Sequence, residues 1–515
     1  TRLVGSEMCI RDSMFGLYEL FEGTCRANID KTALISGEER LSYSKLLALS
    51  ERLAVNLQSR SVHRGSRVTL LFKNSPSMLG LYFALLRIGA QTSPLNYRES
   101  LPELGHLSKC VDAEFLVCAD SFAEQGESLC RLSGAQLILE SELLRVPAAG
   151  SRFLPEERRG EDVVLNIFTG GTTGTPKAAS HTNNGLLCQI KSCFDIESPV
   201  TSDDIFLNYA PMFHIGGFTA AMQTLCAGAT FIISRVFEPE QLLGFVARER
   251  VTQMSLIPPS LCTELLKCGG LSEDALSSVR MVRMSGGACT VDNIKKVFAI
   301  FPNAKAFVGY GMSERAVNMV NIIDRSHPIR EIGGNISVGK PGTYNECKLV
   351  DESGAQITRP GVVGEVLGRG PCTMVGYYGR SNSFDSDGWF ATGDLMFFDG
   401  DGYYYFVDRK KDMIKSGGEN VYSNVVEQIL NSHPSVLESA VVGIPDERLG
   451  EMVAAAVVLR DGAPPVTEQE LMDYCGTKGA GFKKARRIVF VSELPHSKMG
   501  KVDRHAVREL ICGRR

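Results

Sequence analysis

Tryptophan, histidine and long apolar runs are all scarce in this sequence. One Trp and eight His occur in 515 residues, and no two histidines fall in a His-x-x-x-His spacing. Fifteen cysteines are present, none in a Cys-x-x-Cys spacing. A structural zinc site is therefore not expected, and a needed metal should arrive with a substrate. An odd, scattered set of cysteines gives no disulfide framework, and most should be small buried hydrophobes. This usage fits a reducing compartment, so the expected location is cytoplasmic. The longest purely apolar run, Met452 to Leu459, is far shorter than the ~20 residues that cross a bilayer. No transmembrane segment and no signal peptide are expected. Charge of one sign is also lacking: the net charge is −4, which disfavours a nucleic-acid partner. Gly-x-Ser-x-Gly, the turn that presents a nucleophilic serine, is absent as well.

What is present is ordinary globular material, 44% hydrophobic and 22% charged. At about 150 residues per domain, the length suggests three or so domains, or fewer large ones. Thr1 to Ser13 show neither periodicity nor capping logic, and are expected to be a non-native leader ahead of Met14. From Leu41 onward, helical and strand patterns alternate. Tyr43–Gln58 and Met78–Ile88 have helical spacing. Arg67–Phe72, Gln91–Leu95, Phe115–Cys118, Gln136–Leu139, Val163–Phe168, Thr230–Ile233, Gln253–Ile257 and Met281–Ser285 read as strands. The alternation predicts layered α/β sheets, largely parallel. After about Lys340 short strands separated by Gly-rich turns predict a small β-rich subdomain ending near Asp408. Helix Asn424–Asn431, strands Leu437–Ile444 and Val453–Leu459, and helix Glu468–Cys475 then predict a small α+β domain. The fold class is thus α/β: a large N-terminal domain over 14–407, a charged joint at 408–411 and a C-terminal domain over 412–515.

Val163–Phe168 runs into Thr169-Gly170-Gly171-Thr172-Thr173-Gly174-Thr175-Pro176-Lys177. Glycines let backbone N–H groups converge on one anion, threonine hydroxyls add donors, and the lysine adds a mobile positive charge. The loop is expected to cradle phosphates. Gly-Lys-Ser/Thr is missing, so it is not a Walker A loop.

Five ordered motifs make this chain resemble the adenylate-forming superfamily, which includes acyl-CoA synthetases, peptide-synthetase adenylation domains and luciferases. Besides the loop at 169–177 they are Tyr310-Gly311-Met312-Ser313-Glu314, Trp389-Phe390-Ala391-Thr392-Gly393-Asp394, the stretch from Asp408 to Asn420, and Pro495-His496-Ser497-Lys498-Met499-Gly500-Lys501. The resemblance covers roughly residues 30 to 510. It implies ATP, Mg²⁺ and CoA as the ligands. It implies that Thr169, Gly170, Gly171, Thr172, Thr173, Gly174 and Lys177 hold the phosphates, and that Thr172 and Glu314 contact Mg²⁺. Tyr310 would stack on adenine beside the Gly286-Gly287-Ala288 backbone, with Gly311 and Ser313 near by. Asp394 and Arg409 would hold the ribose. Lys501 would bridge the carboxylate and the α-phosphate during adenylation. Lys411 would be the hinge of a mobile C-terminal domain, and Ser416, Gly417 and Gly418 would approach CoA. From Lys478 to Arg515 eleven basic and three acidic residues leave a local excess of eight positive charges, suited to the phosphates of ATP or CoA.

The physical reading agrees with the resemblance. A carboxylate attacking the α-phosphorus of ATP needs positioning and charge neutralisation more than a protein nucleophile. In Pro211-Met212-Phe213-His214-Ile215-Gly216-Gly217 a histidine stands where amino-acid-activating relatives carry aspartate, so an amino acid is disfavoured. No carrier domain follows Lys501, so free CoA is the expected acceptor. His214, Gly216, Gly217, Gly309 and Gly311 are the expected acyl pocket. The expected acid is a medium- or long-chain fatty acid, with an aryl or alicyclic acid, or loading of an acyl carrier protein, as alternatives. Three departures stand out: Ser423 replaces a usual proline, Arg315 follows the motif glutamate, and Gly481-Phe482-Lys483-Lys484-Ala485 lacks a proline. Whether the chain is monomeric or forms a homodimer is left open.

Overall fold

The computed structural model describes residues 16–169, 176–197, 199–268, 272–381, 383–478, 484–496 and 502–513. The expected leader, the Gly170–Gly174 stretch with its Thr172 and Thr173, and Lys501 all lie outside the described residues. The chain forms two compact units. One comprises residues up to 329 with 339–346 and 368–390; the other comprises 330–338, 347–367 and 391 onward.

The first unit holds two sheets. Their strands are β1 (Thr32–Ser36), β2 (Glu39–Ser42), β3 (Arg67–Leu71), β4 (Gln91–Pro94), β5 (Phe115–Cys118), β6 (Gln136–Leu139), β7 (Val163–Thr169), β8 (Lys177–Thr182), β9 (Ile205–Asn208), β10 (Thr230–Ile233), β11 (Gln253–Leu256), β12 (Met281–Met284), β13 (Lys305–Met312) and β14 (Arg315–Ile323). One sheet runs β8-β7-β4-β3-β5-β6, with the short strand Gly376–Tyr377 added beyond β8. β4, β3, β5 and β6 are parallel, and β7 turns back into antiparallel β8. The other includes the run β14-β13-β12-β11-β9-β10-β1-β2, a parallel centre flanked by the antiparallel pairs β13–β14 and β1–β2. The largely parallel expectation therefore holds in the centres, and fails at the hairpins β1–β2, β7–β8 and β13–β14. Parallel central strands are covered on both faces and read as short apolar runs, as β5 and β10 do with every residue buried.

Local signals fix the helices that flank these sheets. Helix Pro76–Ile88 starts with Ser75, whose hydroxyl accepts from the Met78 N–H, carries Pro at its first position and ends on Gly89. No helix among the described residues is long and apolar enough to cross a membrane.

The second unit contains a five-stranded sheet ordered Glu419–Val421, Ile414–Ser416, Gly450–Leu459 and Val436–Asp446, with Arg487–Phe490 paired parallel to Gly450–Leu459. Strand alternation divides the apolar residues between its faces. Val441, Val453, Ala455 and Val457 pack with Val426 and Leu430 of helix Ser423–Asn431. Val442, Ala454, Ala456 and Val458 pack with Val507 and Ile511 of helix Arg504–Cys512. Two helix-covered faces give this segment a core of its own.

Candidate active site

In the first unit, β7 and β8 form a hairpin that pairs Thr169 with Lys177. The two described ends of the predicted phosphate loop thus lie side by side. Lys177 Nζ sits 4.9 Å from the centroid of the Tyr377 ring. The Tyr377 hydroxyl donates to Glu314 Oε1 at 2.6 Å. Burial pushes the Tyr377 phenol far above its ordinary range, and the Glu314 carboxylate adds to the shift. Glu314 is itself buried, 7% exposed, and accepts through its carbonyl from Met374 N at 2.8 Å. Lys177, Tyr377 and Glu314 therefore form one cluster, drawn from three separate chain segments.

The Ser313–Glu314 turn is fixed from below. The His181 Nε2–H donates to the Ser313 carbonyl at 2.8 Å, and Gln189 Nε2 donates to His181 Nδ1 at 3.1 Å. Both contacts demand the same neutral tautomer. Burial agrees, pushing the imidazole down to about 4. Tyr377, His181 and Gln189 were not singled out for chemistry by sequence. Tyr377 registers there only as a short strand, because its hydroxyl acts on a residue 63 positions away.

The glycine-rich ledge follows β12. Gly286 to Ala288 are exposed, and a Cβ on Gly286 would lie 2.9 Å from Ile257 Cγ2. Tyr310 on β13 is 9% exposed. His214 is the N-cap of helix Ile215–Cys226, half-buried against the Phe213 ring at 4.4 Å. The acyl-pocket glycines separate into two kinds. Gly216 is exposed, and a Cβ there would meet only Ile257 Cδ1, at 4.0 Å. A Cβ on Gly217 would strike the Pro211 carbonyl at 2.2 Å, and one on Gly309 the Phe307 ring at 2.5 Å. Those two answer packing needs, whereas Gly216 borders open space.

In the second unit Asp394 and Arg409 are directly opposite on antiparallel strands. Asp394 is 5% exposed, and Arg409 Nε lies 3.7 Å from its Oδ1. The turn before Asp394 is pinned: Gly393 N donates to Glu365 Oε1 at 3.2 Å and Lys410 N to the Gly393 carbonyl at 2.8 Å. Asp408 is buried and accepts from Arg409 N at 2.8 Å, the Ser423 hydroxyl at 2.8 Å and Asn424 N at 3.2 Å. Burial raises its carboxyl despite the opposing Arg504 charge. Burial likewise lowers the ammonium of Lys411, against the opposing pull of Asp412. Gly417 and Gly418, at φ +61° and +85°, form the two-residue turn of the hairpin joining Ile414–Ser416 to Glu419–Val421. That turn type needs positive φ twice, which accounts for both glycines. His496 pairs with Val502 in an antiparallel bridge.

These groups can do three things: neutralise a polyphosphate, offer oxygen to a hard cation, and accept hydrogen bonds from a diol. Glu314 fits a Mg²⁺ ligand, because one oxygen is fixed by Tyr377 while the other makes no hydrogen bond among the described residues.

Comparison with known proteins points the same way. The family pattern of the AMP-binding enzymes matches residues 21–378, and that of the AMP-binding enzyme C-terminal domain matches residues 425–501. A feruloyl-CoA synthase from an Amycolatopsis species is 35% identical over 93% of this chain and 95% of its own length. An indoleacetate–CoA ligase from Aromatoleum aromaticum is 32% identical over 94% of this chain and 95% of its own. The structure of ATP-bound MatB from Rhodopseudomonas palustris aligns with a TM-score of 0.86 at 27% identity, covering 96% of this chain and 99% of that one. The chain belongs to the AMP-binding enzymes, in the acyl-CoA synthetase branch of the adenylate-forming superfamily.

Proposed function

We propose that the protein is an AMP-forming ligase that joins an aromatic carboxylic acid to CoA. The observation that carries this reading is the open wall at Gly216, with only Ile257 in reach of a side chain there. A planar ring needs width at that point, which glycine leaves. The expectation of a fatty acid is corrected by the comparisons: the relatives carry the names of feruloyl-CoA and indoleacetate–CoA enzymes, which favour the aryl alternative.

In this reading a carboxylate oxygen bonds to the α-phosphorus of ATP and pyrophosphate leaves. The CoA sulfur then bonds to the acyl carbon and AMP leaves. Both first-step partners are anionic, so the protein's work is neutralisation and alignment. Lys177 and the Thr169–Gly174 loop would hold the β- and γ-phosphates. Glu314, with Thr172, would hold Mg²⁺, whose charge offsets the phosphate oxygens. Tyr377 keeps the Glu314 carboxylate fixed. Asp394 accepts from the ribose hydroxyls, with Arg409 beside it, and Gly286 to Ala288 support the base with Tyr310. Lys501 bridges carboxylate and α-phosphate. Lys411 acts as the hinge between steps, after which Ser416, Gly417 and Gly418 meet the CoA arm.

The test is a panel of aromatic, alicyclic and straight-chain acids with the full-length enzyme, scored by pyrophosphate release and then by CoA-dependent AMP release. Aromatic acids should show the highest kcat/KM. A straight-chain acid exceeding every aromatic acid would refute the substrate class, and product formed only on a phosphopantetheinylated carrier would refute the acceptor.

A further inference from the structure

Helix Ile215–Cys226 carries a polar feature that core packing does not explain. Residues 216, 219 and 223 fall on one stripe of an α-helix. Much of the rest of the surface is apolar: Phe218, Ala221, Met222 and Leu225 lie in the main hydrophobic core. On the stripe, Thr219 and Gln223 are only 4% and 3% exposed. Thr219 Oγ1 and Gln223 Oε1 are both buried without a hydrogen-bond partner. Thr224, one residue further along, shows the ordinary solution, donating back to the Ala220 carbonyl at 2.7 Å. Buried polar atoms are nearly always paired, so two unpaired oxygens one helical turn apart mark an unmet demand. Strand β14 packs on the same helix, and it contributes Asn318, whose Oδ1 is likewise buried and unpaired.

The stripe also starts in the right place. Gly216 is its exposed end, and Ile257 lies next to it. The same Ile257 side chain abuts Gly286 on the ledge assigned to the nucleotide. Ile257 thus links the ledge to Gly216, and Thr219 and Gln223 follow Gly216 along the same stripe.

We infer that Thr219 and Gln223 are specificity-determining residues that bind a hydrogen-bond donor, a hydroxyl or a ring N–H, at the end of the aromatic acid remote from its carboxylate. This rests on the aromatic acid–CoA ligase reading. Gln223 Oε1 accepts, and the Thr219 hydroxyl both donates and accepts. An analogue lacking the donor leaves these buried oxygens unpaired and forfeits the hydrogen bond they would make.

The experiment compares 4-hydroxycinnamic acid with its near-isostere 4-methylcinnamic acid, using the full-length enzyme and kcat/KM for pyrophosphate release. The hydroxyl acid should be preferred by about tenfold or more, mainly through KM, the size of one well-made hydrogen bond. In Thr219→Val and Gln223→Met the ratio should fall to within about twofold when both are combined. Thermal melting of Gln223→Met should be unchanged or higher, because an unpaired buried oxygen has been removed. A parent enzyme that treats the two acids alike overturns the inference, and this arm needs no variant. A preference that survives both substitutions overturns it too, and leaves the oxygens to buried water. If neither acid, nor any other aromatic acid, releases pyrophosphate while a straight-chain acid does, the ligase reading falls first and this inference with it.

Discussion

Replacing Tyr377 with Phe tests whether the buried carboxylate cluster is catalytic machinery. The substitution removes one atom, the hydroxyl that donates to Glu314 Oε1 at 2.6 Å. The ring stays, so the Lys177 contact at 4.9 Å is retained. A hydrogen bond to a charged group is worth about 1.5–3 kcal/mol. Glu314 is buried, so little water is available to replace that bond. If the hydroxyl serves to hold the carboxylate for Mg²⁺, adenylation should slow by about ten- to a hundredfold. Its Mg²⁺ requirement should also move upward, because a freed carboxylate no longer presents a fixed oxygen. ATP–pyrophosphate exchange titrated with Mg²⁺ reads both effects. Thermal melting provides the control for folding. Exchange within twofold of the parent at every Mg²⁺ concentration would refute the reasoning. So would a loss confined to the KM of the acid, which would move Tyr377 to the acyl side.

Lys501→Ala should slow adenylation by about 10²–10³, the effect of losing one preorganised donor, while thioester formation from supplied acyl-adenylate stays close to the parent rate; equal losses in both steps would contradict separate roles. Arg504→Ala should destabilise the second unit by about 1.5–3 kcal/mol, because Arg504 pairs with partly buried Glu427 at 2.6 Å and approaches Asp412 at 3.7 Å. Denaturant melts of the full chain should then show an earlier transition, and a melt superimposable on the parent would exclude the ion pair as a support. In the first unit, burial alone would raise Asp204, but Arg280, Thr252 and the Thr201 N–H outweigh it and hold the carboxyl at about 2. Its folded value is below the unfolded one, so its contribution of about 2 kcal/mol is present above pH 4 and lost as pH falls towards 2. Asp204→Asn should flatten that acid limb in stability-versus-pH melts, and an unchanged limb would rule the group out.

Local pattern made much of the scaffold legible. Phe115–Cys118, Gln136–Leu139 and Thr230–Ile233 are strands with the predicted bounds, and Tyr43–Gln58 is a helix with the predicted bounds. Each is an apolar stretch whose period and flanking turns agree. Strand neighbours were not legible: β10 lies between β9 and β1, which are remote in sequence. Pairing over such distances is decided by how whole layers pack, which no short window contains. Buried charge was equally hidden. Arg315 is a departure in sequence, following the motif glutamate where a small residue is more usual, and it is fully buried. Its guanidinium donates to Asn345 Oδ1 at 3.2 Å and the Glu346 carbonyl at 3.3 Å. Gly368 makes the room, since a Cβ there would lie 1.1 Å from Arg315 Nη1. The cost of burying this cation is met by oxygens that converge only in the fold.

The motif residues of the candidate site were legible because their chemistry is local: a loop, a turn, a paired ladder. What holds them was not. Ser423, a departure from the usual proline, shows why that support matters. Its hydroxyl gives the buried Asp408 carboxylate a hydrogen bond that a proline side chain does not offer. Asn424 N adds a second, and both donors come from beyond Lys411 in the chain. With Lys411 as the hinge, a rotation there separates Asp408 from both donors. That strands a carboxylate whose hydrogen bonds are worth about 1.5–3 kcal/mol each while it is charged. The rotation must therefore expose Asp408 to water or supply new donors. If Lys411 is the hinge, as proposed, the Ser423 and Asn424 bonds to Asp408 oppose its rotation.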